Sequence, residues 1–184
     1  QTDGPVYWET ETRENVDIKL QGDELVVSSS GVGKRLFSIN FGSSTAERIR
    51  LYLPPKMQRL TYKSGGSGDL RSRVDFEEAN LIILGSGDLD FNQVDHLTLD
   101  LKGAGDVRIR RVGSLFVDIA GAGDVDVEEI YKTFSGRLRG AGDIHLGSGE
   151  VEKLKLTITG AGDVNASHVT AEELDVAIHG PGSL

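Results

Sequence analysis

The chain has 184 residues, 38% of them hydrophobic, 6% aromatic, and 24 of them glycine, a glycine share roughly twice the usual ~7%, in a length that suits one domain with a substantial core or two small ones. A net charge of -9 and a pI near 4.9 oppose binding to phosphate backbones and anionic lipid surfaces, so no nucleic acid is expected as a partner. The absence of cysteine excludes disulfides, thiolate metal sites and a cysteine nucleophile, and no apolar run approaches the ~18 residues of a spanning helix, so no membrane insertion is expected in this segment.

From the N-terminus, "VDIKL", "ELVVS", "LFSINF" and "RIRLYLP" alternate as strands do. "QGDE" reads as a hairpin turn between Leu20 and Leu25, and Pro54-Pro55 as a corner. The aromatics Tyr7, Trp8, Phe37, Phe41 and Tyr52 concentrate here. Residues 1–53 are therefore expected to cap the structure that follows or to begin it irregularly, because an open sheet end exposes unpaired N–H and C=O groups.

From residue 54 to 184 one phrase organises the chain. "GSGDL" at Gly66 and Gly85, and "GAGD" followed by Val or Ile at Gly103, Gly121, Gly140 and Gly160, place Asp69, Asp88, Asp106, Asp124, Asp143 and Asp163 at intervals of 19, 18, 18, 19 and 20 residues. "GPGSL", with Ser183 in the aspartate's place, is a worn seventh copy. A near-fixed period of this size marks a repeat architecture.

Between phrases, apolar residues recur at every second position and in register from copy to copy. Before the phrases stand Leu97, Leu99 and Leu101, then Leu115, Val117 and Ile119, then Phe134, Gly136 and Leu138, then Leu154, Leu156 and Ile158. After the aspartates come Leu70, Leu89, Val107, Val125, Ile144 and Val164, and a mid-repeat aliphatic follows at Val74, Val94, Val112, Ile130, Val151 and Val169. Period-2 alternation means strands with one buried face. Two or three short strands per repeat cannot close a sheet alone, but they make one coil of a parallel β-helix in which each inward residue stacks on its own kind. The expected fold class is all-β: a single-stranded parallel β-helix, a solenoid of 18–20 residue coils with an irregular N-terminal β cap, forming one structural domain.

In the phrase, glycine permits positive φ or close backbone approach, and aspartate accepts a hydrogen bond from a nearby backbone N–H. Stacked at the ~4.8 Å spacing of strands, the six carboxylates form a file whose neighbours repel by roughly 0.9 kcal/mol in water. The leading reading of Asp69, Asp88, Asp106, Asp124, Asp143 and Asp163 is a structural Asx-type turn; the second is a file of calcium ions, which want several oxygens each. No other cofactor is indicated. A phosphate-cradling loop fails, because the phrase leads into a strand and carries no following lysine.

Two residues after each aspartate the register points outward, at Arg71, Asp90, Arg108, Asp126, His145 and Asn165. The first four alternate in sign, so adjacent coils are expected to set opposite charges side by side. The same register puts Ile82, Leu84 and Phe116 outside as a candidate interaction patch. The histidines His96, His145, His168 and His179 share no column at metal-ligand spacing and read as surface residues. At Leu184 a new coil is beginning, and that end is expected to meet a partner, another copy or further residues.

The series of phrases, entered through "RIRLYLPPKMQRLTYKSGGSGDL", resembles the bacterial putative adhesins and their relative, the putative auto-transporter adhesin head GIN domain family. The resemblance implies a right-handed parallel β-helix on exported, periplasmic or cell-surface proteins, and it supplies no catalytic residues. The expected function is a non-catalytic structural or interaction module, an adhesin-like cell-envelope protein. Its expected partner is a protein, a glycan, or another copy meeting it through the solenoid side or the C-terminal end. The alternatives are a calcium- or glycan-binding β-helix and a polysaccharide-active enzyme. No repeat carries a loop long enough to wall a catalytic pocket, so no enzyme is expected.

Overall fold

The computed structural model describes residues 59–65 and 69–184 with their side chains and, ahead of them, the backbone of the strands at 7–10, 16–21, 24–29, 39–40, 48–52 and 56–58. All the regular structure among these is β, and most of it forms a parallel β-solenoid of about six turns. The laps are built from β6 (Lys56–Ser64), β7 (Leu70–Ser72), β8 (Asp75–Ile83), β9 (Leu89–Leu101), β10 (Val107–Ile119), β11 (Val125–Leu138), β12 (Ile144–Ile158), β13 (Val164–Asn165) and β14 (Val169–Ile178). Instead of two or three short strands, a lap from β9 to β12 is one long strand of 13 to 15 residues that turns with the coil and is broken only by the glycine-aspartate phrase.

Each strand pairs in parallel with its counterpart one lap away, as the alternation requires. Val107 lies opposite Leu89 on one side and Val125 on the other, and Ile119 opposite Leu101 and Leu138. The files predicted from sequence are therefore continuous columns. One runs Leu60, Ala79, Leu97, Leu115, Phe134, Leu154 and Leu174; the next runs Tyr62, Leu81, Leu99, Val117, Gly136, Leu156 and Val176. Apart from the last lap these side chains are buried, each larger aliphatic one contributing about 1.5–3 kcal/mol by leaving water.

The mid-lap position departs from the sequence reading at two laps. Phe76, not Val74, stands opposite Val94 and packs edge-on to Phe91 with ring centroids 6.2 Å apart. Opposite Ile130 stands Gly149, and Val151, two residues on, turns its side chain into the core. The laps lengthen at this corner: the stretch between matched rungs holds Gly113 in β10, Tyr131 and Lys132 in β11, and Glu150, Val151 and Glu152 in β12.

At the N-terminal side, β2 (Val16–Gln21) and β3 (Glu24–Ser29) form the antiparallel hairpin expected around "QGDE", with Gln21 opposite Glu24. β3 then adds to β6 in parallel, Leu25 opposite Leu60 and Val27 opposite Tyr62, so this hairpin continues the solenoid sheet. β1 (Tyr7–Thr10), β4 (Ile39–Asn40) and β5 (Arg48–Tyr52) make a separate three-stranded antiparallel sheet. The corner at Pro54-Pro55 and the aromatic side chains of this region lie outside the described residues.

Candidate functional site

The phrases stack into one corner, and its geometry explains the spelling. A Cβ at Gly103 would lie 1.6 Å from the carbonyl oxygen of Gly85 one lap below, and at Gly121 and Gly140 1.8 and 1.9 Å from those of Gly103 and Gly121. The second glycines Gly105, Gly123 and Gly142 meet the same obstacle at 2.0 to 2.1 Å. Close approach is therefore what these positions need; the positive φ that glycine also allows occurs only at Gly149 among the described residues, outside the phrases. The alanine between the glycines points outward, and its N–H donates to the first glycine of the lap below, Ala122 to Gly103 at 3.0 Å and Ala161 to Gly140 at 2.9 Å.

The aspartates form a second ladder. Each carboxylate Oδ1 accepts the main-chain N–H of the phrase one lap above: Asp88 donates to Asp69 at 3.1 Å, Asp106 to Asp88 at 3.1 Å, Asp124 to Asp106 at 3.2 Å, Asp143 to Asp124 at 2.8 Å, and Asp163 to Asp143 at 2.7 Å. Ser183 ends the run, donating to Asp163 through both its N–H (2.8 Å) and its hydroxyl (2.9 Å). The aspartate carbonyls bond in the opposite direction, accepting from the apolar residue one lap below, as Asp106 does from Leu89 at 2.8 Å. The Asx bond foreseen as local is thus inter-lap, and a charge-assisted acceptor offsets the repulsion along the file.

The outward row beside this ladder falls in the expected register, Arg108 standing between Asp90 and Asp126, with His145 and Asn165 beyond. Arg108 reaches the ladder too, 3.5 Å from Asp106 Oδ2. Between the row and the ladder runs an open groove of about 240 Å³ lined by Asp106, Arg108, Asp124, Asp126, Asp143 and His145. It is smaller than the ~300–1,000 Å³ of small-molecule sites. Among the described residues no three His, Asp or Glu side chains are placed to hold a metal ion together.

The opposite, bulged corner carries a cluster that sequence reasoning missed. Tyr131 spans two laps to donate its hydroxyl to Asp95 Oδ1 at 2.8 Å. It crosses the lap of Gly113, where a Cβ would sit 2.4 Å from the carbonyl oxygen of Asp95. Arg111 and Lys132 each lie 5.7 Å from the Tyr131 ring centroid, and Arg111 Nε bonds Glu129 at 2.8 Å. Burial, then the Asp95 carboxylate, push the Tyr131 hydroxyl above its ordinary pKa. The extra residues of this lap are the signal that could have pointed here.

Of the apolar patch, Leu84 and Phe116 are 45% and 36% exposed, while Ile82 is half-buried. Ile82 and Leu84 share a lap, but β9 lies between them and Phe116: Ile82 faces Asp100, and Phe116 faces Thr98. The Arg137 guanidinium covers Phe116 at 5.6 Å. The three residues therefore lie on one flank without forming a continuous apolar surface.

Fold and corner together define a parallel β-solenoid with glycine-stacked turns, a ladder of aspartates and charged outer rows. The family described as putative auto-transporter adhesin, head GIN domain, matches residues 6–132 and again 110–184, and the chain belongs to it. The two matches overlap by little more than one lap, as a repeat allows. Comparison with curated proteins and with solved structures gives no match. The family points to an adhesin-like role, to interaction partners, and to an exported or surface protein.

Proposed function

We propose that the chain is a non-catalytic binding rod of the cell envelope, which engages a protein or glycan surface across its flank. The observation that carries this reading is the constancy of the laps. The laps lengthen by no more than two residues, at one corner, where Val151 turns inward, Tyr131 and Lys132 meet, and Glu150 and Glu152 lie exposed, and the groove beside the ladder stays open and small. Outward rows repeated at strand spacing suit many weak contacts on an extended ligand, where avidity replaces a deep pocket. The flank with Phe116 and Arg137, an aromatic ring under a guanidinium, suits a sugar face or a polar protein surface.

The test is binding of the purified chain to immobilised glycans and to intact cells, beside a Phe116→Asp/Arg137→Glu variant. The expected result is retention that the variant loses while keeping its fold. Hydrolysis of a polysaccharide on the same array, or retention indifferent to the flank, would overturn it.

A further inference from the structure

We propose that the outer edge of β14 is a strand-addition site for an extended segment of another polypeptide in which lysine or arginine alternates with aliphatic residues. Among the described residues β14 pairs only with β12. The core columns emerge there: Leu174 and Ile178 are 62% and 43% exposed, whereas Leu154 and Ile158, one lap below, are 3% and 0%. A strand laid on this edge would complete the main-chain ladder and cover both side chains.

Charge selects the occupant. From below, Lys153 and Lys155 bond Glu173 and Asp175, in the register that sets "KLKL" of β12 against "ELDV" of β14. Glu173 and Asp175 remain well exposed, and β14 itself carries no lysine or arginine. A second copy offering the same edge would bring acidic residues against acidic residues, which is destabilising. A segment with the chemistry of β12 repeats from above the pairing that already exists below. This goes beyond the flank reading, since it uses a different surface.

The experiment uses the full chain and two labelled peptides, EKLKLTIT, which copies residues 152–159, and its charge-reversed form EELELTIT, in fluorescence anisotropy at low salt. The lysine peptide is expected to bind about tenfold tighter, and Glu173→Lys/Asp175→Lys to invert that preference. Amide exchange should slow across residues 173–178 on binding. Leu174→Ser, at an exposed position, should weaken the lysine peptide several-fold without lowering the melting temperature. Equal binding of both peptides, no binding, or protection elsewhere would overturn the proposal. So would a free chain that scatters as a dimer with β14 amides already protected, or an extended chain whose own following residues protect them. Glycan and cell binding play no part in these readouts, so failure of the flank reading leaves them unaffected.

Discussion

Gly121 shows how little freedom a stacked corner leaves, because the carbonyl of Gly103 already occupies the space a methyl would need. Gly121→Ala should destabilise by about 3 kcal/mol, at the upper end for overpacking, since the obstacle is backbone rather than a side chain that can rotate away. Ala122→Ser, between the same glycines and exposed, should stay within about 0.5 kcal/mol. Thermal or urea denaturation reads both. The aspartate ladder makes a finer distinction. Asp124→Asn keeps an oxygen for the Asp143 N–H and removes a charge from the file, so it should be nearly neutral; Asp124→Ala leaves that N–H without its acceptor and should cost about 1 kcal/mol. If the file instead served calcium, Asn and Ala would both lose a calcium-dependent rise in melting temperature, and the wild-type chain would show one. At this scale the phrase was legible as a corner, and its aspartate as an acceptor. The donor was not, because a residue 18 to 20 positions away enters only once laps are stacked.

Within the elements, the columns compensate where single residues look wrong. Gly136 stands in a column of Leu99, Val117 and Leu156, and the place of its missing side chain is taken by the ring of Phe134, 2.7 Å from where a Cβ would be. Phe134→Leu should open a cavity and Gly136→Val should collide with the ring, each costing roughly 1–3 kcal/mol. The double variant restores the Leu-and-Val pair found at Leu115 and Val117, and should recover at least half of the summed loss in a double-mutant cycle. Two tyrosines, one in a core column and one at the bulged corner, add a pH dependence. Tyr62, pushed up to about 12 by burial, and Tyr131, raised by burial and by Asp95, both hold their protons more tightly folded than unfolded. Their contribution is whole below the ordinary value of 10 and is lost as pH rises through the folded values, to about 12 for Tyr62. Melting temperature should fall across that alkaline window, and Tyr131→Phe should soften the fall. Strand positions were legible because alternation at period 2 is a strong pattern. The Tyr131 bond to Asp95 was not, since it joins residues two laps apart across a glycine. Nor did the sequence distinguish Phe76 from Val74, because both are apolar and only the register decides.

For the whole molecule, the period of the phrase carried most of the fold: a repeat that cannot bury its own face must stack, and stacking in parallel is what keeps every column of one kind. The N-terminal hairpin was legible by its turn and its alternation, while its parallel addition to β6 was not, since no phrase marks that lap. The function is less legible than the fold for the same reason that the fold is clear. A sequence spent on repetition writes few singular residues, and singular residues are what name a ligand.

The register itself can be measured directly, because the chain has no cysteine of its own. Arg108→Cys/Asp126→Cys places two thiols on facing rungs of adjacent laps, within the Cα separation a disulfide spans; Arg108→Cys/Glu128→Cys moves one of them two residues along the same face, to a diagonal of about 7–8 Å. Mild oxidation followed by mass spectrometry should find the first pair closed within one molecule and the second open. A closed second pair with an open first, or neither closing while the protein remains folded, would contradict parallel, in-register laps.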